Sequence, residues 1–135
     1  MTQLGEISGD HIFAAIVPPT AAGTAIEVPI VQLDKNATIT EIRWIPGAAM
    51  TANGTNYCTL QPRNRQSGAG TVTPATARSW ASGNSVATTP EVLTLSTTAS
   101  DLQAAAGDVL TAHFTHAASG LAIPAGLVQV KVRWR

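Results

Sequence analysis

Along residues 127–135 the chain alternates strictly. Val128, Val130, Val132 and Trp134 fall on one side of an extended backbone, and Gln129, Lys131, Arg133 and Arg135 fall on the other. A half-buried β-strand uses this pattern, whereas a helix would scatter the four apolar groups around its circumference. Each of those side chains contributes roughly 1.5–3 kcal/mol if its face is fully covered. The segment is therefore predicted to be a core strand and not a tail.

Weaker runs of the same kind, rich in β-branched residues, predict strands over 11–17, 24–33, 38–45, 56–65, 75–80, 92–96 and 109–115. Turn residues separate them, among them Pro18-Pro19, Asp34-Lys35-Asn36, Pro46-Gly47, Asn53-Gly54, Gly83-Asn84 and Gly107-Asp108. About eight short strands with such punctuation predict an all-β fold, an antiparallel β-sandwich of jelly-roll-like type. Residues 1–23 are read as an N-terminal arm holding a candidate first strand, and 24–135 as the sandwich domain. No sustained helical stripe occurs; one helical turn is predicted over 101–106, capped by Ser100 or Asp101. Residues 47–54 and 66–74 read as connecting loops.

Composition narrows the partners. Aromatic residues are only 4% of the chain, so the 44% that is hydrophobic must build its core mainly from Val, Ile, Leu and Ala. Charged residues are 12%, about half the ~25% of an average protein, and eight basic groups balance eight acidic ones. Without a basic surplus, nucleic acid is not expected as a partner. Low charge also means little self-repulsion, so association with copies of itself is expected. The apolar stretch from Ile12 stops at Pro18-Pro19, far short of the ~20 residues that cross a membrane. No membrane association is expected, and synthesis in a cytoplasm without a cleaved leader is.

The search for chemistry returns no catalytic, metal or cofactor site, and the chain is read as a non-enzyme. His113 and His116 stand three apart on a predicted strand, which sends them to opposite faces. Ser85 lacks the second glycine of a nucleophile elbow. Gly68-Ala69-Gly70 has no third glycine and no lysine to hold a phosphate. Glu27, Glu41, Glu91, Asp101 and Asp108 are scattered and read as solvated strand or turn acids. Cys58, the sole cysteine, excludes an intrachain disulfide and reads as a small buried hydrophobe. Asn36 and Asn53 match the glycosylation pattern but read as turn residues.

Two features point to binding. Arg43, Arg63, Arg65, Lys131, Arg133 and Arg135 lie at odd positions of predicted strands, where they would line a solvated sheet face or a docking face. Trp44 and Trp134 alternate toward the core, which leaves Trp80 as the candidate exposed platform for a sugar.

Residues 37–46 (ATITEIRWIP), 55–65 (TNYCTLQPRNR), 93–101 (LTLSTTASD), 105–110 (AAGDVL) and 115–130 (THAASGLAIPAGLVQV) together resemble a group of small tailed-phage virion proteins that includes capsid decoration, or head cement, proteins. The resemblance covers most of residues 37–135 and lies in order and phrasing, not in a catalytic signature. It implies a homo-oligomer, with a trimer favoured, that binds the major capsid protein on the outer surface of the virion head and stabilises the capsid lattice. It carries no contact residues with it. A tail or fibre component and a carbohydrate-binding β-sandwich module are the alternatives.

Overall fold

The computed structural model describes residues 9–135. Among the described residues nine strands form in chain order: β1 (Asp10–Val17), β2 (Ile26–Gln32), β3 (Ala37–Pro46), β4 (Tyr57–Asn64), β5 (Arg78–Ser79), β6 (Glu91–Val92), β7 (Gln103–Ala104), β8 (Val109–Ala117) and β9 (Gly126–Trp134). They build two antiparallel sheets. The first has the order β1-β9-β3-β6, with β7 also on β3; the second has the order β2-β8-β4-β5. The two orders run in step, 1-9-3-6 against 2-8-4-5, because the chain crosses from sheet to sheet after β1, β2, β3, β5, β7 and β8. This is a jelly-roll arrangement.

The alternation along β9 is realised as written: Val128, Val130 and Val132 are buried, and Trp134 packs on the same core from the rim. β3 carries a bulge between Ile39 and Glu41, which adds a residue and shifts the phase. Its inward set is consequently Ala37 and Ile39 before the bulge, then Ile42 and Trp44 after it. Three aromatic rings sit at the centre. Trp44 meets Trp80 edge-on at 6.3 Å and Phe114 at 5.5 Å, and aliphatic side chains from both sheets fill the rest.

Three sequence-level expectations need correction. The strand expected over 75–80 reduces to Arg78–Ser79 with a single bridge from Ala75 to Leu95. The strand over 92–96 likewise reduces to Glu91–Val92 plus that bridge. The helical turn lies earlier than 101–106, as a 3-10 turn at Ala99–Leu102 with Thr98 at its N-cap. Asp101 does not cap it, because its carboxylate accepts the Ser96 hydroxyl at 2.7 Å. Gln103 and Ala104 instead leave the turn to pair with β3, where Ala104 is fully buried against Ala37. The loop over 47–54 is anchored: Met50 is buried and exchanges two backbone hydrogen bonds with Ser85.

Of the arm expected over 1–23, residues 10–17 are β1, which pairs with β9 along its whole length. Residues 1–8 lie outside the described residues.

Candidate interaction surface

The outward face of the first sheet is organised in rows by its register. Ile12, Lys131 and Glu41 share one row; Ala14, Gln129, Arg43 and Val92 share the next; Ile16, Leu127 and Ile45 share the third. A fourth row carries Asp10, Arg133 and Thr38. The charges in these rows are mutually satisfied. Glu41 pairs with Arg43 and lies 3.9 Å from Lys131, while Arg133 donates to Asp10 at 3.1 Å. Such exposed pairs add only about 0–1 kcal/mol each, so their main effect is to leave the face nearly neutral. Around them stand large apolar side chains in water: Ile16 is 77% exposed, Val92 62% and Ile12 56%.

The outward face of the second sheet is different. Glu27 on β2 lies 3.7 Å from Arg63 and 3.8 Å from Arg65, and it accepts the Thr111 hydroxyl at 2.7 Å. His113 stands opposite Glu27 on one side and Gln61 on the other. Its pKa is lowered from 6.5, first by burial and then by the Arg63 charge, with Arg65 adding to the shift and Glu27 opposing it. Arg135 belongs to neither cluster; it lies just beyond β9 and donates to the Ala104 carbonyl at 3.1 Å.

The six cationic residues singled out from the sequence are thus divided. Arg43, Lys131 and Arg133 share the first sheet, Arg63 and Arg65 the second, and Arg135 the rim. The period-two pattern could assign each to an outward face but not to a sheet, since sheet membership is set by long-range pairing.

Trp80 is not an exposed platform. Its ring is fully buried, and its Nε1 donates to the Ser85 hydroxyl at 2.8 Å. The Ser85 hydroxyl in turn donates to Glu91, which accepts from Arg78 Nε at 2.8 Å, and the Arg78 guanidinium sits 4.6 Å above the Trp80 ring. This linked set joins β5, β6 and the loop between them. Sequence reasoning missed it because its members are unremarkable singly; the one signal was Arg78 standing two residues from Trp80. The remaining acids read as solvated also have partners, with Asp108 accepting from Asn64 and from the Ala105 amide, both at 2.9 Å.

Cys58 is buried, and desolvation pushes its thiol up to about 11, far from the range of a nucleophile. His113 is half-buried and His116 exposed near the far end of β8, where His116 Nδ1 is 3.2 Å from the Ala118 carbonyl oxygen. Among the described residues, no group of three or more His, Cys, Asp or Glu side chains is placed to hold a metal ion. None of their helices is long and apolar enough to cross a membrane. No protein-family model, curated protein or solved structure matches the chain.

Proposed function

We propose that this chain is a virion structural protein that decorates the outer surface of a phage head, with the major capsid protein as its partner. The observation that carries the reading is the outward face of the first sheet. Ile12, Ile16 and Val92 stand in water around charges that are paired with one another, with one cation in excess. Such a face gains apolar burial on docking, and its paired charges cost less to desolvate than lone ones would. On a repeating lattice, many modest contacts of this kind add up through multivalency.

The resemblance over residues 37–135 supports the same reading, and the jelly roll is a fold that viral capsid proteins use. Lectins use it as well. The saccharide alternative loses its anchoring residue, however, because Trp80 is buried.

The test is a binding isotherm of the purified chain on expanded, mature phage heads and on unexpanded precursor shells. Saturable binding to the expanded lattice, with a fixed number of copies per capsomer, is expected. Absence of binding to any head preparation overturns the proposal.

A further inference from the structure

A β-sandwich has four sheet edges, and this chain blunts three of them. The β2 edge carries Pro29 and a bulge between Pro29 and Val31, while the β5 and β6 edges are each two residues long. The remaining edge is β1, eight residues from Asp10 to Val17 with no proline, glycine, lysine, arginine or bulge. Among the described residues, no strand pairs with the side of β1 that faces away from β9. Sheet edges are normally protected against pairing with other chains, so selective protection of three leaves the fourth as a pairing surface.

We infer that two copies of this chain join edge to edge through antiparallel β1 strands, making one continuous sheet across both. The sequence of β1 selects the second copy as occupant and fixes the register. With Ala14 facing Ala14 of the second copy, Ile12 meets Ile16 on the outward face. Phe13 meets Ala15 on the inward face, a large side chain against a small one, and His11 meets Val17. The outward row then reads Ile, Ala, Ile in both directions and covers two of the most exposed apolar side chains of the molecule. Shifting the register by one pair in either direction places Ile12 or Ile16 against Ala14 and breaks both Ile–Ile contacts. Charge points the same way. The only acidic group of the strand is Asp10 at one end, and antiparallel pairing keeps the two Asp10 carboxylates at opposite ends of the seam, where parallel pairing would bring them together. The interface is two-fold and isologous, in place of the trimer that the resemblance implies. It stands independently of the capsid reading.

The test is the mass of the full-length chain in solution by sedimentation and light scattering. Two chains are expected for the wild type and for V92K, whose substitution lies at the opposite edge. One chain is expected for I16K, whose outward side chain leaves the core untouched, with an unchanged circular dichroism spectrum. Cysteine placement reads the register: Ala14→Cys should form an intermolecular disulfide under mild oxidation, because facing residues of paired strands lie within disulfide reach. Ile12→Cys should not. A monomeric wild type overturns the inference, whether residues 1–8 or another protein takes the edge. So does a trimer, or an oligomer unaffected by I16K. Loss of capsid binding with the dimer intact would remove the proposed function and leave this interface standing.

Discussion

The indole of Trp44 occupies the space that a side chain at Gly126 would need. A Cβ built on residue 126 would stand 2.7 Å from Trp44 Cζ3 and 2.8 Å from the Ile45 carbonyl oxygen. Neither neighbour is free to yield: the ring is packed against Trp80 and Phe114, and the carbonyl belongs to the strand beside β9. Gly126 is therefore required by close approach and not by an unusual backbone angle.

Gly126→Ala is expected to destabilise the fold by about 1–3 kcal/mol, the usual cost of overpacking a dense core. The check is the midpoint of urea unfolding. Gly54→Ala is the control, since a Cβ there meets only Ala81 O at an ordinary 3.9 Å. Equal midpoints for the two variants would show that the Trp44 contact relaxes freely.

Ser85→Ala is expected to cost about 1–3 kcal/mol, because it strands the buried Trp80 N–H without an acceptor. It also removes one of the groups that hold Glu91 beside Arg78. Ser85→Thr keeps the hydroxyl and should recover part of the loss. Unfolding followed by tryptophan fluorescence measures both, and an alanine variant as stable as wild type would mean that the indole finds another partner.

His113 should titrate below 6.5 in the folded protein, with burial as the main cause and Arg63 as the next. The unfolded chain then binds the proton more readily than the folded one. Stability from this group is complete above pH 6.5 and declines as the pH falls through the folded-state value. Proton NMR of the imidazole gives the midpoint directly. Arg63→Gln should raise it, and His113→Gln should flatten stability against pH across that window; a midpoint at or above 6.5 contradicts the prediction.

The sandwich was legible wherever a strand has one wet face and one dry face. Residues 127–135 carry that pattern without interruption, and β1, β3, β4 and β8 lie within two residues of their predicted bounds. Residues 75–96 were misread because their burial is set by side-chain links and not by alternation. Trp80 sits inside with Ser85 on its N–H and Arg78 over its ring, both held by Glu91, and no periodicity encodes that meeting. The outward rows of the first sheet were half legible. Each residue's side of its own strand follows from parity, but the neighbours of Ile12 and Arg43 depend on strands far away in the chain. The bulge at Thr40 shifts parity within β3, and only the resumed apolar pattern at Ile42 and Trp44 hints at it.

The pairing of Asp10 with Arg133 spans 123 residues of chain. Strand β1 leaves the ribosome first among the described strands, yet its neighbour β9 leaves last. At translation rates of roughly 5–20 residues per second, β1 waits at least about six seconds before its partner exists. The first sheet therefore cannot be completed before β9 emerges, and its closure is a late, non-local step of the kind that folds slowly. Throughout that interval a largely aliphatic strand is bare on both edges, which makes the nascent chain, more than the finished domain, the species that is exposed to mispairing.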